Sequence, residues 1–336
     1  MLTELSPQEQ ILQIVNNHWQ GCAVGAAAEL ELADHLADGP LHADVLAERC
    51  NAHGPSLYRM LRALESTGVF KQTAPQTFAN TPASECLRRH AAGSQWAWIR
   101  LTLSGEGMVR GGWRGLLHSI RTGEPGFEEI HGCSGWEYMQ QNPEQGAMFN
   151  DAMRALAASI TPAVTGAYDW GRFPVIADIG GGVGSQLIDI LDAHPRCRGV
   201  LFDQPQAVAQ APDHGRMEAV GGDFFKGVPQ ADVYILRWIL HDWDDEKSLA
   251  ILEAIRQSAK PGAVLAVVES VIPETSAFDM GKWMDLNMLV MAGGKERTAA
   301  EFRSLLEKAD FGLDEIVPTS SPLSIVVSSA RQTESS

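Results

Sequence analysis

The run Leu236-Arg237-Trp238-Ile239-Leu240-His241-Asp242-Trp243-Asp244-Asp245 carries the chain's strongest candidate for moving a proton. His241 follows the apolar stretch Val233–Leu236, so it falls just beyond the end of an expected strand. An imidazole is the side chain best matched to taking a proton near neutral pH. Two carboxylates stand where they could reach it. Glu269 follows the apolar stretch Ala263–Val268, and Glu296 lies in the turn Gly293-Gly294-Lys295-Glu296-Arg297-Thr298. Either would orient the ring and offset its cationic form. From spacing alone a purely structural histidine is an equally good reading.

A second constellation suits an adenosine-containing ligand. Val175–Ile179 reads as a strand that runs through Gly180-Gly181-Gly182-Val183-Gly184 into a helix from Ser185 to Ala193. Glycines let the backbone turn sharply and approach a ligand, and a helix N-terminus offers unpaired N–H donors. The dinucleotide fingerprint G-x-G-x-x-G is not matched, because Ser185 stands at its third position; the spacing disfavours NAD. Asp203, ending the strand Gly199–Phe202, suits two ribose hydroxyls. Asp223 and Phe224 follow the strand Met217–Val220 and would accept from an adenine amino group and stack on the base.

These residues need a scaffold that brings strand ends to one edge. From Phe173 onward strands and helices alternate, with a long helix Asp245–Ser258 and a helix Glu301–Ala309 entered through the capping box Thr298-Ala299-Ala300-Glu301. Two late strands, Leu313–Val317 and Leu323–Ser328, bring the total to seven. The expectation for 171–331 is an α/β domain with a mostly parallel seven-stranded sheet. Residues 1–100 read differently: helices Ala43–Cys50 and Ser56–Glu65 around a turn, then a small β-wing through Val69–Lys71 and Thr77–Ala79, a winged-helix pattern. Residues 101–170 read as a helical linker rich in Gly, Met and aromatics, suited to walling a substrate pocket. Candidate walls are Trp136, Met148, Phe149, Trp238, Trp283, Asn287, Met288 and Met291, each of which is equally at home in ordinary packing. Gln332–Ser336 reads as a disordered tail.

The motifs D-I-G-G-G-V-G, F-D-Q-P, G-D-F-F, W-I-L-H-D-W and G-G-K-E-R-T occur in order through this scaffold. Together they resemble the plant-type and bacterial natural-product O-methyltransferase family. The resemblance spans nearly the whole chain and implies a Rossmann-like domain binding S-adenosylmethionine, with S-adenosylhomocysteine as product. It implies an N-terminal winged-helix-like dimerisation domain, hence a homodimer. By the same resemblance Gly180 and Gly182 pack on the methionine and ribose portions of the cofactor, Asp203 takes the ribose hydroxyls, and Asp223 and Phe224 flank adenine. Asp178, Gln204 and Arg237 complete the cofactor set, His241 is the base, and Glu269 and Glu296 flank it. The implied reaction is methylation of a phenolic hydroxyl on an aromatic small molecule.

Bulk properties narrow the field. The formal charge of -16 disfavours nucleic acid and anionic membranes as partners. Over residues 1–100 seven basic residues face ten acidic ones, so the winged helix reads as a dimerisation element more readily than as a DNA reader. Five cysteines without C-x-x-C spacing suggest reduced thiols and no metal site. Met1–Gln10 lacks the pattern of a signal peptide, and a cytoplasmic location is expected. Two rivals stay open at this level. One is a family relative that keeps the cofactor for hydroxylation, decarboxylation or pericyclic chemistry; the other is a ligand-sensing winged-helix regulator.

Overall fold

The computed structural model describes residues 5–105 and 107–331; the expected disordered tail lies outside them. The chain divides into two compact units. One takes the chain up to Gly112 together with Trp136–Leu156, and the other takes Trp113–Gly135 and the chain from Ala157 onward. The chain therefore crosses between units three times within 101–170.

In the first unit, strands β1 (Leu41–His42), β2 (Phe70–Ala74) and β3 (Thr77–Asn80) form a small antiparallel sheet in the order β1-β3-β2. Helix Gly54–Glu65 buries Leu57, Leu61 and Leu64, the i, i+4, i+7 face read from the sequence. These side chains meet Leu46, Phe70 and Phe78 in one core, which makes the winged-helix pattern a folded unit. The long helix Pro7–Glu29 starts with a full capping box between Ser6 and Glu9. It leaves Ile11, Leu12, Ile14, Val15 and Trp19 more than half exposed.

The second unit is built on strands β4 (Val175–Ile179), β5 (Arg198–Asp203), β6 (Met217–Gly221), β7 (Val233–Arg237) and β8 (Val264–Glu269). Two short strands follow, β9 (Val271–Ile272) and β10 (Arg297–Thr298), and then β11 (Phe311–Pro318) and β12 (Ser324–Ala330). Seven of these make one sheet in the order β11-β12-β8-β7-β4-β5-β6, with only β12 antiparallel to its neighbours. The expected Rossmann-like α/β architecture is present. Parallel strands must be covered on both faces, and β8 is buried at all six positions. Tyr234 and Leu236 enter the core on one face of the sheet, while Val233 and Ile235 enter the core on the other.

Chain order decides where the site lies. The chain leaves β4 outward through β5 and β6, then returns to lay β7 against the other side of β4. The crevice beyond the carboxyl ends of β4 and β7 is thus the switch point at which open α/β sheets bind ligands. The glycine turn leaves β4 there, and the His241 segment leaves β7 beside it.

Candidate active site

His241 lies in a single 3-10 turn, Leu240–Asp242, directly after β7, and is buried. Its Nδ1 is 2.8 Å from Glu296 Oε1, and Glu296 is 2 % exposed. Glu269, fully buried at the end of β8, does a different job. Its Oε1 accepts the backbone N–H groups of Ile239 and His241, both at 3.1 Å. Of the two acids that could reach the ring, Glu296 holds the imidazole and Glu269 holds the backbone that carries it. A third acid, Asp242, places Oδ1 3.5 Å from His241 Nε2.

Charge follows from this packing. Burial works against an imidazolium at His241, but Asp242, the hydrogen bond to Glu296 and the charge of Glu269 outweigh it and raise its pKa to about 9. Burial pushes Glu269 up to about 7, opposed by the charges of His241 and Arg297. Burial also raises Asp242, against the pull of the His241 cation.

Two local features fix the turn around His241. Trp238 has φ 56°, a left-handed conformation that a bulky residue adopts only under constraint, and its N–H donates to the Val268 carbonyl at 3.3 Å. On the opposite side, a Cβ on Gly294 would overlap the carbonyl oxygen of His241. The Gly293–Thr298 turn therefore lies directly on the His241 backbone. β10 pairs with β9 in parallel, Arg297 opposite Val271 and Thr298 opposite Ile272, which ties the Glu296 turn to the chain just after Glu269. The Glu296 N–H is accepted by Asp285 Oδ1 at 3.1 Å.

The glycine turn sits beside this group. Gly180, Gly182 and Gly184 have φ of 71°, 61° and 81°, and a Cβ on Gly180 would overlap the Ile239 side chain. Nothing lies within 4 Å of a Cβ built on Gly182, so its face is open. Asp203 spans the turn: Oδ2 accepts the Gly182 N–H at 2.7 Å and Oδ1 the Gln204 N–H at 2.6 Å. Asp178 is 1 % exposed, and neither carboxyl oxygen has a hydrogen-bond partner among the described residues. Burial raises it to about 6, with Arg237 favouring its ionised form. Arg237 in turn donates to Thr161 Oγ1 at 2.9 Å and Gln186 Oε1 at 3.2 Å. A buried carboxylate without a partner is costly, and it fits a site whose ligand brings a donor or a positive charge. The residues present suit a cationic, ribose-bearing cofactor.

The remaining expected residues fall as follows. Asp223 is exposed, paired with Lys226 at 2.9 Å, and that hydrogen bond holds it below the usual carboxylate range. Phe224 packs edge-on to Phe225 and Trp243, with ring centroids 4.9 and 6.4 Å away. Trp283, Asn287 and Met291 recur at i, i+4, i+8 on helix Met280–Met291, whereas Met288 on the same helix is buried. Asn287 is tied to Trp113, whose indole N–H donates to it at 2.8 Å. Trp136 and Phe149 meet edge-to-face at 6.3 Å in the first unit, where Met148 is half-buried. Sequence reasoning missed Asp242, Asp285 and Arg297 as parts of the site. Asp242 had a signal, its adjacency to the histidine; the other two depend on how the turn folds back.

The chain is similar to known proteins along most of its length. An O-methyltransferase domain model matches residues 113–312, and an O-methyltransferase dimerisation domain model matches residues 12–89. The second match covers the winged-helix pattern and makes it a dimerisation element. The chain is 41 % identical to a phenazine O-methyltransferase of Lysobacter antibioticus, over 94 % of either chain. It is 33 % identical to a mitomycin biosynthesis 6-O-methyltransferase of Streptomyces lavendulae, over 93 % of this chain and 91 % of that one. It also superposes on an O-methyltransferase of neocarzinostatin biosynthesis, solved with S-adenosylmethionine and 2-hydroxy-5-methyl naphthoic acid. That match has a TM-score of 0.79 at 34 % identity, and covers 93 % of this chain and 96 % of the other.

Proposed function

We propose, from the premise that this chain belongs to the S-adenosylmethionine-dependent O-methyltransferase family, that it methylates a phenolic hydroxyl of an aromatic natural product with His241 as general base. The observation that carries the role of His241 is the buried 2.8 Å pair with Glu296, beside a glycine turn open to a ligand.

When bound, S-adenosylmethionine supplies a methyl group already activated on a sulfonium sulfur. Asp203 would hold the ribose hydroxyls, Gly180 and Gly182 would let the backbone approach, and the buried Asp178 would set a negative charge behind the turn, favourable to a cationic cofactor. Asp223 and Phe224 would border the adenine. Arg237, braced by Thr161 and Gln186, partly offsets the burial of Asp178 and favours its ionised form.

The protein's own chemical task is to remove one proton at the right place. With Nδ1–H donated to Glu296, His241 is left with Nε2, 3.5 Å from Asp242 Oδ1, as the nitrogen that would accept the hydroxyl's proton. A pKa of about 9 lies about one unit below that of a phenol, so the proton crosses with little thermodynamic cost. The buried carboxylates then stabilise the imidazolium as it forms. Trp283, Asn287 and Met291 offer a flat, weakly polar face for an aromatic ring.

The same reading makes the protein a homodimer, supported by the dimerisation-domain match and by the apolar face of helix Pro7–Glu29. We also infer a cytoplasmic location; all five cysteines are free thiols, and no helix among the described residues is long and apolar enough to cross a membrane. The test is incubation with S-adenosylmethionine bearing a deuterated methyl group and a panel of phenazine, naphthoate and quinone-type phenols, read by mass spectrometry. A product carrying the labelled methyl on oxygen is expected. Tight cofactor binding with no transfer across the panel would instead favour non-methylating chemistry.

A further inference from the structure

Arg297 is the most deeply buried cation among the described residues, at 0 % exposed, and the mechanism above does not use it. Its guanidinium spends every donor on its surroundings. Nη1 donates to the carbonyls of Leu240 at 3.0 Å and Lys295 at 3.4 Å. Nη2 reaches the Trp243 carbonyl at 3.2 Å, Ser248 Oγ at 3.0 Å and Asp245 Oδ1 at 2.9 Å, and Nε reaches the same Asp245 oxygen at 3.1 Å. Leu240 and Trp243 bracket His241 in the chain.

We infer that Arg297 is a positioning residue for His241, a buried fork that fixes the backbone on both sides of the base. The inference rests on His241 being that base. Glu269 holds the N–H groups of the segment and Arg297 holds its carbonyls, so the turn is gripped through both kinds of backbone group. The chain neighbour of Arg297, Glu296, holds the ring itself. One dipeptide, Glu296-Arg297 at the start of β10, thus sets both the backbone and the imidazole of the base. Stability alone explains this poorly, because a buried cation loses its hydration and its partner Asp245 is half exposed. A planar fork of five donors does what the point charge of a lysine cannot.

The test compares wild type with Arg297→Lys and Asp245→Asn. Four quantities are read: kcat, acceptor KM, S-adenosylhomocysteine affinity by calorimetry, and the His241 titration by NMR of histidine-labelled protein without substrate. Arg297→Lys keeps the charge but loses the fork. We expect kcat to fall about 10- to 100-fold, the effect of displacing a reacting group by about 1 Å, with KM and cofactor affinity within about threefold. The His241 inflection should move down by about half a unit or more as its bond to Glu296 loosens. Asp245→Asn acts from the half-exposed side and threatens folding least; it should lower kcat about threefold and move His241 the same way. If Arg297→Lys does not fold, Asp245→Asn decides alone. The inference is overturned if Asp245→Asn leaves both kcat and the His241 titration at wild-type values. It is equally overturned if Arg297→Lys loses kcat, cofactor affinity and thermal stability together while His241 titrates unchanged. Should wild type move no methyl while Arg297→Lys still shifts the His241 titration, the clamp stands and the methyl-transfer reading fails.

Discussion

Replacing Glu296 by Gln keeps the shape of the side chain and removes the charge facing His241 Nδ1. The 2.8 Å contact is buried on both sides, so solvent screening is slight. A hydrogen bond to a charged group in such a place is worth about 1.5–3 kcal/mol. Part of that now supports the imidazolium, so its loss lowers the His241 pKa from about 9 by about one to two units. The sign is fixed by the role: His241 must be neutral to accept a proton, so wild-type kcat/KM should rise with pH to an inflection near 9. In Glu296→Gln that inflection should move to about 7–8. The plateau should fall about 10- to 100-fold, because the imidazolium that forms in the transition state has lost its anion. The assay is initial rate against pH with a fixed phenolic acceptor and labelled methyl donor, cofactor affinity being measured separately by calorimetry. An inflection that stays near 9, with a plateau within twofold of wild type, would refute the pairing as the source of the base's strength.

Other variants separate the parts of the site. Glu269→Gln retains an oxygen for the N–H groups of Ile239 and His241, and Glu269 titrates only near 7, so its kcat at neutral pH should fall less than about tenfold. A loss as large as that of Glu296→Gln would place Glu269 on the ring after all. Asp203→Ala removes the carboxylate that orders the Gly182 and Gln204 amides, and should weaken S-adenosylhomocysteine binding about 10- to 100-fold by calorimetry. Unchanged affinity would remove Asp203 from the cofactor site. Gly294→Ala would drive a methyl into the His241 carbonyl, so kcat should fall at least about tenfold while cofactor affinity is kept. A fully active variant would mean the turn moves freely against the base.

The readable parts of this chain were those with a period. Strand and helix alternation from Val175 to Ser328 appears in the structure within a few residues, because buried parallel strands are apolar runs and their helices are not. The glycine turn was legible because its backbone needs glycine at Gly180, Gly182 and Gly184. What escaped is what has no period. The ladder between β9 and β10 is two residues long, yet it places Glu296 and Arg297 beside the chain that follows Glu269. Arg297 gave no sign of burial, since arginines are mostly exposed and its carbonyl partners leave no mark in a sequence. The division of labour between the two glutamates was open for the same reason: Glu269 serves backbone amides, which every residue has. Helix Met280–Met291 is apolar around much of its surface, so its side chains could be named but its helical face could not be drawn.

The central claim is that His241 takes the acceptor's proton as the methyl moves. It is tested most directly by single-turnover methyl transfer to a series of phenols of decreasing pKa, in wild type and His241→Ala, with cofactor affinity measured in both. If the account is right, the variant binds cofactor normally and is slowest with the least acidic phenols. It should approach the wild-type rate as the acceptor comes to be ionised before it binds. A loss that is the same for every phenol, or a variant that no longer binds cofactor, would mean that His241 holds the site together and that the proton leaves by another route.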